Sequence, residues 1–424
     1  MPPVKQIIFG GLIVTHQRPL SLLLFLMGWS LFSASAINAA PVIDNPAEPS
    51  GGAKTIQLEE MWRIGGEDDE ETLLGVVNRV LADDQDNVYL LDIQLTEVLV
   101  YDADGEYLQS LGSPGEGPGE IRRAAGVLFM PDGTVGLVQG FPGKIVKVDR
   151  EGIPAGEFRP GGDDPSAGGF FALRGAASNG GRMVFSGSRI TRGEDSRTAV
   201  NFIASFDEDG SQQSLFHHTT SVRQFRGEDF SEKKEFFPHE EGWALGDDGR
   251  VYVAPNRNSY EIMVYAPDGT LERTIKRPYQ SYKRTDKEKK KAEDGLMPWR
   301  RRNRSRFNFV VEPTEQDIVR MRVTDDGHLW VLPSRGLRNQ PEGVHTTWDV
   351  FDNTGQYEQT VALKCEGVGL RDKLFFAGDD MVVLVKQYAD AMMAFQGQSR
   401  EESEAQDEEI EALPLEVICY RIIQ

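Results

Sequence analysis

Short apolar runs punctuated by Asp-, Asn- and Gly-rich turns set the rhythm of this chain. The unit from Val80 to Glu120 shows it most clearly. Val88–Leu91, Val98–Tyr101 and Glu106–Leu111 read as three strands, rich in β-branched and aromatic residues. Asp84-Gln85-Asp86-Asn87 and Asp102-Ala103-Asp104-Gly105 read as the turns between them, because Asp and Asn cap nearby backbone and Gly accepts positive φ. The runs are nearly continuous and do not alternate strictly with polar residues. That predicts strands covered on both faces.

The same two signatures recur down the chain. One is a polar turn followed by a short apolar strand, at Val88, Val135, Met183, Val251, Leu329 and Met381. The other is a strand ending in Tyr, Phe or Val followed by a turn that closes at Gly105, Gly152, Gly210, Gly269 and Gly355, spaced 47, 58, 59 and 86 residues apart. A four-stranded antiparallel unit cannot bury both its faces alone, but radial neighbours can bury them. The repeats therefore predict an all-β, six-bladed β-propeller over 55–424. The leading strand Thr55–Ile64 and the final strand Leu415–Ile423 are expected to share the closing blade, since an open ring would leave sticky edges.

The largest spacing holds an insertion at about 279–308. Its charged run Asp286–Glu293 reads as a short helix, followed by the basic stretch Trp299–Arg304. From Lys283 to Arg306 there are eleven basic and four acidic residues, a net of +7. This is either a solvated rim excursion or a contact for an acidic partner or membrane surface. Arg400–Glu411 carries one base and seven acids, a net of −6, and predicts an acidic loop over about 397–412 in the last blade.

Composition changes the picture in two ways. The formal net charge is −21, which argues against nucleic acid as a partner. The first forty residues have a basic flank at Arg18, an apolar core over Leu20–Ala36 and small residues at Ala34-Ser35-Ala36 and Asn38-Ala39-Ala40. That is the pattern of a secretory signal peptide over 1–40, with an uncleaved membrane anchor as the competing reading. Pro41–Lys54 reads as a flexible spacer. The expected location is periplasmic or extracellular, and the expected state a monomer. Cys365 and Cys419, the only cysteines, could be joined as a disulfide after export or could remain two buried thiols.

With the repeats in hand, the chain from about Lys54 onward resembles bacterial exported six-bladed β-propeller proteins related to NHL-repeat domains. The segment Leu111-Gly112-Ser113-Pro114-Gly115-Glu116-Gly117-Pro118-Gly119-Glu120 is similar to that family's glycine-rich stretch ending in GPGEF, with Ile121 in place of Phe. The resemblance implies a fold and an exported scaffold, and no single activity. Lyases of the NHL type hold a metal with histidines, and this chain shows no matching set. No calcium-holding quartet of the gluconolactonase kind is identifiable either.

Little in the sequence points to catalysis. The glycine-rich segment lacks the Gly-Lys-Ser/Thr of a phosphate loop. The six histidines show no HxH or HxxxH spacing, and the acidic turns lack the EF-hand pattern. No G-x-S-x-G elbow occurs. No metal or cofactor site is therefore expected. Polar groups just before each innermost strand should face the channel mouth, which selects Arg79, Arg123, Arg174, His239 and Arg320. Converging arginines would bind a carboxylate or phosphate group; the alternative is that they are rim residues paired with nearby acids. The primary expectation is a non-enzymatic scaffold that binds a protein, peptide or glycan. The alternative is a channel-centred enzyme, such as a lactonase-like hydrolase or a quinone-dependent sugar dehydrogenase.

Overall fold

The computed structural model describes residues 40–67, 69, 72–161, 169–224, 230–303, 309–396 and 413–423, with the side chains of 296–303 and 309 left aside. The expected signal peptide and the acidic 397–412 segment lie outside the described residues.

Two leading strands, β1 (Val42–Asp44) and β2 (Ala53–Gly65), precede the repeats. Blade I is β3 (Val77–Ala82), β4 (Val88–Asp92), β5 (Glu97–Tyr101) and β6 (Tyr107–Leu111). A small parallel pair, β7 (Ser113–Pro114) and β8 (Glu120–Ile121), holds the glycine-rich crossing to blade II. Blade II is β9 (Ala124–Phe129), β10 (Val135–Gln139), β11 (Lys144–Val148) and β12 (Pro154–Phe158). Blade III has longer strands: β13 (Phe170–Asn179), β14 (Arg182–Arg192), β15 (Ser196–Phe206) and β16 (Gln212–Gln224). β17 (Phe230–Ser231) follows, and blade IV is β18 (Trp243–Leu245), β19 (Val251–Val253), β20 (Glu261–Tyr265) and β21 (Leu271–Lys276). The insertion supplies α1 (Asp286–Asn303) and β22 (Phe309–Val310), which pairs with β17. Blade V is β23 (Ile318–Val323), β24 (Leu329–Pro333), β25 (Val344–Phe351) and β26 (Tyr357–Lys364). Blade VI is β27 (Lys373–Phe376), β28 (Met381–Lys386), then α2 (Tyr388–Phe395), then β29 (Glu416–Ile422) and, as its outermost strand, β2.

Successive residues of a strand point to opposite faces of its blade, and the core is divided accordingly. Val88 and Leu90 belong to the apolar cluster between blades VI and I, whereas Tyr89 and Leu91 belong to the one between blades I and II. Among the described residues six such clusters fill six seams, one between each pair of neighbouring blades. This is why the apolar runs do not alternate with polar residues: both faces of each strand are interior.

β2 joins the ends of the chain. Ala53–Gln57 run parallel to β26 of blade V, and Leu58–Gly65 run antiparallel to β29. A bulge between Glu60 and Trp62 switches the strand's buried face. Ile56 and Leu58 pack into the seam between blades V and VI, and Trp62 and Ile64 into the seam between blades VI and I.

One expectation is corrected here, and of the two alternatives for the cysteines one is found. Residues 41–54 are not a free spacer. β1 pairs with β21 of blade IV, and Asn45 donates to the Gly355 carbonyl at 3.0 Å while accepting from the Tyr357 N–H at 2.7 Å. Its side chain satisfies backbone groups of the outer hairpin that would otherwise be orphaned. The two cysteines are free, buried thiols, not a disulfide. Cys419 lies in the seam between blades VI and I, Cys365 in the one between blades V and VI.

The acidic turns do hairpin work. The Oδ1 atoms of Asp102, Asp149, Asp207 and Asp352 each accept N–H groups two and four residues ahead, so these carboxylates are spent on the backbone.

Candidate binding site at the channel mouth

The innermost strands β3, β9, β13, β18, β23 and β27 line the axis. Near the start of four of them the ladder skips a residue: Asn78 in β3, Ala125 in β9, Arg174 in β13 and Val319 in β23. A bulge re-aims the neighbouring side chains, and here it turns Arg79, Arg174 and Arg320 toward the face where each blade begins. The link to α1, the β24–β25 connection and α2 open on this same face, because strand direction alternates within every blade.

A charged cluster sits at this mouth. The Glu241 carbonyl accepts the Met321 N–H at 3.0 Å, which fixes Glu241 beside β23. Its carboxylate lies 3.2 Å from Arg320 Nε and 3.0 Å from Lys373 Nζ. Arg79 meets the neighbouring carboxylate, Glu240, at 3.4 Å. Burial works to raise the Glu241 pKa, but Arg320, Lys373 and Arg79 outweigh it and hold the group well below the usual carboxylate range. Burial, joined by Arg320 and Arg79, lowers Lys373 to about 8 against the pull of Glu241. Its ammonium stands 4.8 Å from the Phe375 ring centre and 4.9 Å from that of Tyr388. Arg320 also donates to the Leu374 carbonyl, tying blade V to blade VI at the axis.

Beside this cluster lies a cavity of about 280 Å³. Glu241, Arg320, Lys373, Arg371, Tyr388 and His345 contribute to its wall. His345 is 1% exposed, and neither ring nitrogen has a hydrogen-bond partner. Burial and the nearby Arg320 lower its pKa to about 4, so it is a neutral imidazole near pH 7. α2 reaches over the mouth. Tyr388 donates to Asn78 Oδ1 at 2.7 Å, and Ala391 packs against the core on both sides of blade I.

Of the five residues selected from sequence, the structure brings Arg79 and Arg320 together around the two glutamates. Arg174 and His239 form a second pair. His239 is pushed down to about 4 by burial and by Arg174, and its Nδ1 is buried without a partner. The His239 carbonyl accepts from Trp243 Nε1 at 2.9 Å and from the Ser186 hydroxyl, which holds the approach to β18 against blade III. Arg123 is drawn off by α2, its guanidinium lying 5.4 Å from the Phe395 ring centre. One convergent arginine ring is thus replaced by a charged cluster, a pair and an outlier.

Sequence reasoning missed Glu240, Glu241, Lys373, His345 and Tyr388. Three of these carried a signal: Glu240 and Glu241 stand just before an inner strand, and Lys373 opens one. His345 and Tyr388 come from a middle strand and a loop helix, and no register rule points to them.

A family profile described as a 6-bladed beta-propeller, DUF5128, matches residues 64–129, which is blade I with its two flanks. The chain is a six-bladed β-propeller. No curated protein matches it. Among solved structures this propeller is similar to a candidate exported protein of Bacteroides fragilis, with 12% identity, TM-score 0.46, and 90% of this chain and 100% of that one covered. A DUF4221-family member from Bacteroides vulgatus shows 11% identity and TM-score 0.44, with 87% of this chain and 98% of that one covered. Regucalcin, a calcium-binding protein of Agrobacterium tumefaciens, shows 10% identity and TM-score 0.40, with 87% of this chain and 96% of that one covered. Among the described residues, no group of three or more His, Cys, Asp or Glu side chains is placed to hold a metal.

Proposed function

We propose that this chain is an exported binding propeller whose channel mouth takes a small ligand, or the end of a glycan or peptide, through a carboxylate group. The observation that carries the reading is the gathering of Arg79, Arg320 and Lys373 around Glu240 and Glu241. It leaves one net positive charge at the axis of a chain whose formal charge is −21. Guanidinium groups in a partly dry cavity recognise a carboxylate well. The signal-peptide-like pattern over residues 1–40 of the sequence supports export. The test is calorimetric titration of the mature chain with simple carboxylates and with acidic and neutral sugars. Binding of the acidic ligands that is lost in Arg320→Ala supports the reading. Equal binding of neutral and acidic ligands, or none of either, overturns it.

A second reading, a channel-centred enzyme, is favoured by Lys373, an amine whose pKa of about 8 lies near the neutral range.

A further inference from the structure

We propose that Lys373 is a nucleophilic amine that captures small 2-oxo acids as an imine. The inference rests on the carboxylate reading above for the acid end of the ligand and adds covalent chemistry at its neighbouring carbonyl.

Four observations converge on this lysine. It opens β27, the innermost strand of the last blade, so its side chain lies at the axis and not on the rim. It contributes to the wall of the 280 Å³ cavity, which has room for a ligand of a few heavy atoms beside the amine. Its surroundings disfavour a permanent ammonium, because the nitrogen is buried and Arg320 and Arg79 share the cluster, which outweighs the attraction of Glu241. Desolvation and adjacent cations are the two devices by which proteins free a lysine for attack on a carbonyl. Glu241, 3.0 Å from Nζ, fixes the position of the nitrogen at the cavity wall.

The rest of the cavity supplies what the reaction needs. Arg320, on the same wall, would hold the carboxylate of a 2-oxo acid and so bring its carbonyl carbon next to the amine. His345 belongs to the same wall, with both ring nitrogens buried and unpartnered. The lone pair of Nζ forms the C–N bond as the carbonyl π pair moves to oxygen. That oxygen takes up a proton, the nitrogen loses one, and departure of water leaves the imine. Atoms balance with water as the sole by-product, and no oxidant or reductant takes part.

The experiment uses the full mature chain, pyruvate and sodium borohydride, which reduces an imine to a stable secondary amine. Peptide mass mapping then locates the adduct. The expected result is modification of Lys373 about tenfold or more faster than any exposed lysine such as Lys233 or Lys234. Random labelling of exposed lysines, or an unmodified Lys373, overturns the inference, and this readout on the unaltered chain needs no variant to fold. A second arm replaces pyruvate by acetaldehyde, which has the carbonyl and no carboxylate. Slower labelling of Lys373 by acetaldehyde, with the pyruvate preference lost in Arg320→Ala, supports both readings. Equal labelling by the two probes leaves the amine standing and overturns the carboxylate reading. Calorimetric carboxylate binding with no adduct does the reverse.

Discussion

Gly105, at φ +85°, faces the Trp62 ring so closely that a Cβ added there would lie 2.6 Å from the ring's Cγ. Trp62 belongs to the strand that closes the ring, and Gly105 to the first hairpin turn of blade I. The seam between the last blade and the first is therefore sealed by a glycine chosen for space as well as for backbone conformation. Gly133 has the same φ, with nothing within 4 Å of an added Cβ. Gly133→Ala should cost about 1–2 kcal/mol, the strain of a left-handed non-glycine residue. Gly105→Ala should cost about 2 kcal/mol more, since the indole must move. Urea denaturation of the two variants checks this, and equal losses would refute the packing at the seam.

Acid should weaken the fold through its buried histidines. His239 and His345 have folded values near 4 against 6.5 unfolded. Between those limits the unfolded chain binds protons that the folded one refuses, so stability rises with pH from 4 to 6.5 and is lost on acidification through that window. Each histidine accounts for on the order of 3 kcal/mol once the pH is below 4. Glu241 acts in the same direction, because its lowered pKa makes its contribution vanish as acid protonates it. His345→Gln should flatten the profile between pH 4 and 6.5, as measured by chemical denaturation at a series of pH values. An unchanged slope would show that the imidazole does not resist protonation.

At the root of the insertion, Glu232 lies 2.7 Å from both Arg257 and Arg284, whose side chains are almost fully buried. Thr285 and Glu288 cap the helix that follows, each accepting the other's backbone N–H. Glu232→Ala would take from buried Arg257 its only paired carboxylate among the described residues and leave Arg284 with Glu315 alone, and should cost about 3 kcal/mol. Limited proteolysis should then cut first within α1. A variant as stable as the parent would show that the insertion is held by something else.

Cys365 and Cys419 are pushed up to about 12, chiefly by burial. Against an ordinary thiol near 9, the thiolate fraction at neutral pH falls about a thousandfold. Neither should react with an aromatic disulfide reagent until the chain is unfolded, and both should then titrate together. Prompt labelling of the native protein would place a thiol at the surface.

The blades were readable in the sequence because their information is local. Turn residues such as Asp102 and Gly105 must bond their own backbone, and the second strands at Val88, Val135 and Val251 are apolar on both faces wherever they sit. Closure through β2 was also readable, since an unpaired first strand has one place to go. The mouth was legible only in part. Arg79, Arg174 and Arg320 could be found because the start of an inner strand is a local position. What they meet depends on which blade faces which across the axis. Glu241 reaches Arg320 and Lys373 from another blade, and α2 pulls Arg123 away from all of them. That pairing is set by the ring's closure and leaves no trace in residue spacing. The 41–54 segment was misread for a related reason: Asn45 finds its partners in the turn at Gly355, on a blade far along the chain.

β2 also constrains the order of events when the protein is made. Its thirteen residues emerge early, yet their partners are Thr360–Lys364 and Glu416–Ile422. Until the last segment is available, Ala53–Gln57 can lie on β26, but Leu58, Trp62 and Ile64 have no β29 to pair with. Final assembly therefore waits for the finished polypeptide, and a chain truncated before Glu416 would have five complete sectors and an unsatisfied flank prone to self-association.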